Sequence, residues 1–116
     1  MDQEQSLLAL SALSQSTRLD AFRLLVRNEP DGLPAGDIAK ELAVPQNTMS
    51  AHLSVLARAG LVFGERQSRS IIYRADLSAL RELTMFLLKD CCQGRPEVCA
   101  PLVSALAPCC TEAERD

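Results

Sequence analysis

Five cysteines crowd the carboxyl end of the chain, and their spacing suits a site for a soft ion. Cys91, Cys92, Cys99, Cys109 and Cys110 fall in the last 26 of 116 residues, and the first 90 contain none. Neighbouring cysteines cannot easily bridge each other, because a disulfide needs a particular separation and torsion. As(III) or Sb(III) binds three thiolates in a pyramid, whereas structural zinc generally takes four nitrogen or sulfur ligands. We therefore predict a three-thiolate metalloid site at Cys91, Cys92 and Cys99.

The spacer and the last two cysteines leave several arrangements open. Gly94 and Pro96 can bend the six-residue spacer so that Cys99 closes over the vicinal pair. Cys109 and Cys110 could capture the ligand first, form a second two-thiolate site, or complete a four-sulfur zinc site with the other cysteines. Alternatively they belong to a disordered tail, since the mostly charged segment Thr111 to Asp116 follows them.

A second group of polar residues has the chemistry of a nucleic-acid reader. Gln46, Asn47, Thr48, Ser50 and His52 follow one another in a predicted helix, on the side away from its apolar stripe. Amides and hydroxyls can donate to and accept from base edges in the major groove, and a helix amino terminus favours phosphate. For His52 a surface or capping imidazole is an equally good interpretation.

Hydrophobic periodicity predicts the elements that must position these residues. A first helix carries Leu7 to Leu13, and a second carries Leu19 to Val26, with Ser16 or Thr17 as its cap and a turn at 28–32. Two short helices follow at 34–42 and 46–59, the first opened by Pro34 and the second by Pro45, and Gly60 lies just past the second. Strands are predicted at 61–66 and 69–74, joined by a looser loop at 67–68, because Gln-Ser is no tight-turn pair. A last long helix is predicted from Leu77 to about Lys89, with Asp76 as its amino-terminal cap. Beyond it we predict at most a short helix near Leu102 to Leu106.

This order of elements is that of a winged helix-turn-helix, mainly α with a β-hairpin wing. Only Ala43, Val44 and Pro45 join the two short helices, which fits the turn of that motif. We predict a DNA-binding and dimerisation domain at 1–90 and a cysteine-rich sensing segment at 91–116.

Charge is unevenly spread and supports a nucleic-acid partner. The net charge is −3, yet residues 45–75 contain four arginines and one glutamate, so a basic face lies on an acidic body. Arg66 and Arg69, in the predicted wing, are the expected contacts to operator DNA. Aromatic residues make up only 3%, too few for a stacking platform that binds single strands.

Neither a secretory leader nor a membrane span is expected. The chain begins with the acidic, polar MDQEQS, and no apolar run is long enough to cross a bilayer. The expected location is therefore cytoplasmic, where thiols stay reduced and clustered cysteines more often bind metal or sense chemistry than staple a fold.

Several stretches resemble the ArsR/SmtB family of metalloregulatory repressors. The start of the family's second helix is similar to residues 13–19. Its recognition-helix motif matches residues 50–56 together with 59–62, and its returning wing strand is similar to residues 69–74. The resemblance implies a homodimeric repressor whose first and last helices form the dimer interface, with one recognition helix and wing per operator half-site. The leucines of those helices suit that role, although monomer core explains any one of them equally well.

Two departures from the family locate the predicted sensor. Residues 34–42 lack the cysteines that many arsenic-responsive members carry there, and Ser68 stands where the wing commonly has a glycine. Zinc-sensing relatives use carboxylates and histidines on the last helix, but His52, the only histidine, lies in the reading helix. Some arsenic-responsive members place a vicinal cysteine pair and a third cysteine at the end of the last helix, as here.

The resulting prediction is a repressor that binds operator DNA as a homodimer and dissociates when As(III) or Sb(III) binds. A redox-sensing repressor switched by cysteine oxidation remains open, as does a repressor responsive to methylarsenite or to zinc or cadmium. A thiol-dependent arsenic-handling enzyme or metallochaperone is a further alternative. We expect no enzyme and no organic cofactor, because no catalytic base lies near a nucleophile.

Overall fold

A computed structural model describes residues 1–89 together with residues 100, 101, 104 and 105. The elements in the first 88 residues are α1 (Gln3–Leu13), α2 (Ser16–Arg27), β1 (Leu33–Pro34), α3 (Ala35–Glu41), α4 (Gln46–Arg58), β2 (Val62–Gln67), β3 (Ser70–Ala75) and α5 (Leu77–Leu88). This order confirms the predicted winged helix-turn-helix. The chain divides into two units, Met1–Phe86 and Leu87–Asp116. In the second unit, residues 100, 101, 104 and 105 are helical, and the rest of the short helix predicted near Leu102 to Leu106 lies outside the described residues.

Side chains close the amino ends of α2 and α5. At α2 the prediction was wrong: Gln15, rather than Ser16 or Thr17, accepts a hydrogen bond from the Arg18 amide at 2.9 Å. The reason is that Gln15 is the last extended residue, whereas Ser16 and Thr17 are already helical. At α5 the prediction is confirmed, because the Asp76 carboxylate accepts from the amide three residues further on at 3.1 Å.

The turn between α3 and α4 is held by the backbone. The Val44 amide donates to the Ala39 carbonyl at 2.9 Å, and the Met49 amide donates to the Pro45 carbonyl at the same distance. Between these bonds Ala43 adopts a φ of 56°, the left-handed region that is unfavourable for a residue with a Cβ. The angle between the two helices therefore depends on a strained residue.

Ala43→Gly is expected to stabilise the fold by about 0.5–1 kcal/mol. A Cβ in the left-handed region costs about 1–2 kcal/mol, and the extra freedom of glycine in the unfolded chain offsets about 0.4–1 kcal/mol of that gain. Chemical denaturation measures the difference. The matched control is Ala57→Gly, at an exposed site inside α4, which should destabilise by about 1 kcal/mol. A loss of stability at position 43 would contradict the strain.

The wing is part of a three-stranded antiparallel sheet in the order β1-β3-β2. The β2–β3 register runs from Val62 opposite Ala75 to Gln67 opposite Ser70. The strand β1 was not predicted, and it adds Leu33 opposite Tyr73 on the other edge of β3. The sheet therefore ties the wing to the segment that enters α3.

The tip of the hairpin is tighter than the sequence suggested. Because Gln67 pairs with Ser70, only Ser68 and Arg69 form the loop, so the prediction of a looser connection was wrong. Ser68 adopts a φ of 59° and Arg69 does not share the positive φ, which is the pattern of a type II′ turn. A serine thus occupies the conformation for which glycine is the usual choice.

The core lies among the helices and the inner ends of the wing strands. It is built from aliphatic and small side chains with one phenylalanine. The buried apolar residues are Ala9, Ala12, Ala21, Phe22, Leu24, Leu25, Ile38, Ala39, Met49, Leu53, Leu56, Leu61, Val62, Ala75, Ala79 and Leu83. Most large members belong to α2, α4 and the segment between α4 and β2, so the core fixes the inner side of α4.

The first and last helices keep many of their large side chains outside this core. The helix α1 buries only small residues, Ser6, Ala9 and Ala12, and exposes Leu7, Leu8 and Leu10. Likewise α5 buries Ala79 and Leu83 while exposing Leu77 and Met85. Among the described residues, no helix combines the length and apolar character that crossing a bilayer requires.

Candidate nucleic-acid interface

The predicted reading residues lie along the outer side of α4. Its inner side is anchored by three fully buried side chains, Met49, Leu53 and Leu56. The exposed residues are Gln46, Asn47, Thr48 and Ser50, and His52 is half-buried. With 3.6 residues per turn, Asn47 points away from the buried stripe. Thr48 and Ser50 lie on its two flanks, and His52 lies at its border.

One of these side chains already has a hydrogen-bond partner within the protein, and a second lies close to α3. The Asn47 Oδ1 accepts a hydrogen bond from the Thr48 amide at 3.0 Å, which leaves the Asn47 amide group as a donor. The Gln46 carboxamide lies over the first turn of α3, where a Cβ added to Gly36 would come 3.3 Å from Gln46 Oε1. The bare backbone at Gly36 therefore leaves room for the Gln46 carboxamide.

A groove between α4 and the wing brings three predicted site residues together. Gln46 and Ser50 line it from α4, and Arg69 lines it from the wing tip. Ile71 and Tyr73 of β3 form the wing side. Arg66 pairs with Ile71 in the strand register, so the two side chains lie on the same face of the sheet. The other predicted site residues of α4, Asn47, Thr48 and His52, do not line the groove.

Charge on the wing is divided between its two faces. Arg66 and Arg69 are exposed, and within the described residues neither forms an ion pair. Arg74 had been counted with the basic face, but its guanidinium binds Glu29 at 2.8 Å and Glu65 at 3.3 Å. Hydrogen bonding to Glu29, then to Glu65, raises the pKa of Arg74 above its ordinary value. The charge available to a polyanion is therefore smaller than the sequence count.

Comparison with known proteins identifies this architecture. A family model for a helix-turn-helix domain matches residues 13–62. The transcriptional regulator NmtR of Mycobacterium tuberculosis is 42% identical over 64 residues, which cover 55% of this chain and 51% of NmtR, about half its length. The uncharacterized regulator YbzH of Bacillus subtilis is 32% identical over 90 residues, covering 66% of this chain and 88% of YbzH.

Solved structures share the fold over most of the chain. An ArsR-like transcriptional regulator from Rhodococcus sp. RHA1 is 25% identical with a TM-score of 0.66, and the match covers 95% of this chain and 93% of that one. The chain belongs to the ArsR family of transcriptional regulators.

Two further solved structures are similar to this ArsR-family chain. A possible transcriptional regulator for arsenical resistance is 28% identical with a TM-score of 0.60, covering 68% of this chain and 79% of that one. The homodimeric winged helix-turn-helix DNA-binding domain Mb0332 of Mycobacterium bovis is 24% identical with a TM-score of 0.62, covering 73% and 77%. The second likeness concerns the fold alone.

The sequence reasoning missed the apolar side of the groove in this ArsR-family protein. Ile71 is exposed although it is a large aliphatic residue, and it lies between Arg69 and Tyr73 in the groove wall. The alternation of β3 had placed Ile71 and Tyr73 on one face, but it gave no indication that this face forms one wall of a groove with α4. Gly36 carried no sequence signal, because its role depends on Gln46.

The predicted metalloid ligands lie outside the described residues of this ArsR-family chain. Cys91, Cys92, Cys99, Cys109 and Cys110 all fall in that part of the sequence. Within the residues that are described, no group of three His, Cys, Asp or Glu side chains is arranged to hold a metal ion. The three-thiolate site therefore stays a prediction from the sequence.

Proposed function

We propose that this ArsR-family regulator is a homodimeric repressor that leaves its operator when As(III) or Sb(III) binds Cys91, Cys92 and Cys99. In this proposal α4 enters the major groove and the wing contacts the flanking backbone. Gln46, Asn47, Thr48 and Ser50 meet base edges, and His52 contacts a base or phosphate at the border of the helix. Arg66 and Arg69 neutralise phosphates.

The groove supports the DNA side of the proposal. It places an amide and a hydroxyl of α4 beside the guanidinium of Arg69, so donors for base edges and for phosphate lie together. The exposed arginines face the same side as the reading residues of the helix. A duplex with its major groove on α4 would meet both.

Exposed apolar residues support the dimer. Leu7 is 58% exposed on α1 and Met85 is 64% exposed on α5, and large apolar side chains grouped on two helices favour burial against a partner. The homodimeric M. bovis domain shares this fold. A two-fold dimer would hold two α4 helices about 34 Å apart, one turn of DNA.

The spacing of the cysteines is the observation that supports As(III) or Sb(III) as the inducer. Cys91 and Cys92 come three and four residues after the end of α5, and Cys99 follows seven residues after Cys92 in the sequence. A metalloid bound there would act on the end of a helix that we place in the dimer interface. A shift of that helix would alter the distance between the two α4 helices of the dimer. A coupling free energy of about 1–3 kcal/mol between metalloid binding and DNA binding is enough to release the operator.

Fluorescence anisotropy with a labelled duplex from upstream of the gene tests the proposal. The protein, kept reduced with a phosphine, should bind the duplex and release it when arsenite is added. Parallel titrations with antimonite, methylarsenite, Zn²⁺ and Cd²⁺, and a peroxide titration after the phosphine has been removed, separate the alternatives. Release by zinc or cadmium alone, or by peroxide alone, would replace the metalloid assignment, and no sequence-specific binding would reject the repressor.

Arg69→Gln is expected to weaken operator binding and to lower its salt dependence. Each phosphate contact that is lost reduces the slope of log affinity against log salt by about 0.9, and a dimer loses one contact per protomer. Titrations at several salt concentrations measure the slope. The control is Arg23→Gln, an exposed arginine of α2 away from the reading groove, which should leave the slope unchanged. An unaltered slope for Arg69→Gln would remove the phosphate contact.

A further inference from the structure

The base of the wing carries an ionic cluster that the proposed DNA contacts do not use. Arg74 Nε and Nη2 donate to the two carboxylate oxygens of Glu29 at 3.1 and 2.8 Å, and Nη1 donates to Glu65 at 3.3 Å. The Arg74 guanidinium also lies 5.4 Å from the ring centre of Phe63. We call Arg74, Glu29, Glu65 and Phe63 the wing-base cluster.

This cluster joins two parts of the fold. Glu29 comes two residues after the end of α2. Glu65 and Phe63 belong to β2, and Arg74 belongs to β3. The Glu29 side chain is only 12% exposed, and Arg74 is 26% exposed. A bidentate guanidinium–carboxylate pair fixes direction as well as distance, so the cluster holds the wing base at a defined angle to the end of α2.

The cluster lies on the opposite face of the sheet from the groove. Arg74 stands opposite Phe63 in the register, and side chains on one strand alternate between faces. Ile71 and Tyr73, which line the groove, therefore point the other way. A phosphate on the groove side would not meet the Arg74 guanidinium, whose charge is already matched by two carboxylates.

We propose that Arg74, held by Glu29, is a positioning residue that sets the direction of the wing for DNA binding. The inference rests on the proposed function. Arg69 lies five residues from Arg74 along the hairpin, a lever of about 17 Å at 3.3–3.4 Å per residue, so a tilt of about 10° at the base moves the tip by about 3 Å. That displacement exceeds the roughly 0.5 Å range of hydrogen-bond distances. If the wing base is loosened, Arg69 therefore lies out of reach of its phosphate in most conformations of the wing.

Glu29→Gln gives a test in which the sign of the effect is decisive. Removing an acidic charge normally strengthens binding to DNA. The positioning role instead requires Glu29→Gln to weaken operator binding, by about tenfold, the usual size of coupling within one hydrogen-bond network. The matched control is Asp31→Asn, an exposed acid of the same loop, which should leave affinity unchanged or slightly higher. Tighter binding by Glu29→Gln would overturn the proposal.

Arg74→Lys separates positioning from direct contact. Lysine keeps the charge but cannot form the bidentate pair. We expect Arg74→Lys and Arg74→Gln to weaken binding by similar factors, about tenfold, and the double variant Glu29→Gln/Arg74→Gln to be no weaker than either single variant. If Arg74 contacted a phosphate directly, Arg74→Lys would bind the operator nearly as well as the wild type. The losses of affinity in Glu29→Gln and Arg74→Gln would then add in the double variant.

Hydrogen exchange of the free protein provides a readout that does not depend on DNA. Amides at the wing tip, 66–70, should exchange faster in Glu29→Gln and Arg74→Lys, while those of α2 and α4 keep their wild-type rates. Unchanged exchange at the tip, or equal acceleration throughout the domain, overturns the positioning role. If the wild-type protein binds no operator, the proposed function fails, and the exchange pattern still decides whether the cluster orients the wing.

Discussion

We expect Cys91→Ser, Cys92→Ser and Cys99→Ser each to leave operator binding intact and to abolish its sensitivity to arsenite. A pyramidal As(III) site has three sulfur ligands, so one serine leaves a two-thiolate site. Loss of an outer-shell partner of a metal site already costs about 10–100-fold in affinity, and loss of a ligand itself should cost at least the upper value. Anisotropy titrations with arsenite measure the concentration that releases half of the duplex.

The distal cysteines supply the matched controls. Cys109→Ser and Cys110→Ser change the same chemical group within the same cysteine-rich segment. Unaltered release in both would exclude them as required ligands, and a rise in the arsenite needed would assign them to capture or to a second site. If the three proximal variants all retain wild-type release, the metalloid site is not where we place it.

The variant Leu7→Glu/Met85→Glu is expected to be monomeric and to bind the operator about 10²–10⁴ times more weakly. The loss follows because a second half-site adds avidity of that size once the two binding modules are joined. Both side chains are more than half exposed, so glutamate at these positions should leave the fold of the protomer intact. Sedimentation equilibrium gives the oligomeric state, and anisotropy gives the affinity.

Leu19→Glu is the control for this prediction. Leu19 is a 40% exposed leucine of α2 that borders Leu13 and Leu80, not the exposed leucines of α1. This single change of leucine to glutamate should leave the dimer and its operator affinity unaltered. A dimer that survives Leu7→Glu/Met85→Glu would place the interface elsewhere on the protein.

Elements with a strong local signal could be predicted from the sequence, whereas elements that depend on distant partners could not. The apolar period marks α4, and Asp76 marks the start of α5. The two-residue strand β1 has no period of its own and exists because Leu33 pairs with Tyr73. The tight wing tip was missed because the strand register, rather than residue preference, selects the positive φ of Ser68.

The candidate site shows the same division. The outer residues of α4 were recognised from their chemistry and from the buried stripe beside them. Arg74 was counted as part of the basic face because Glu29, its main partner, is 45 residues away in the sequence. Nor could the sequence place Ile71 across a groove from α4, since that groove is formed by the tertiary fold.

The small side chains that α1 buries bear on which part of the protein opens first. Ser6, Ala9 and Ala12 together remove little apolar surface from water, and an isolated helix of eleven residues is marginal. Beyond its capping box and the partial burial of Leu13, the stability of α1 therefore depends on covering its outer leucines. On dilution below the dissociation constant of the dimer, α1 should unfold locally before α2 or α4, so protein concentration itself would determine how long the first helix remains in place.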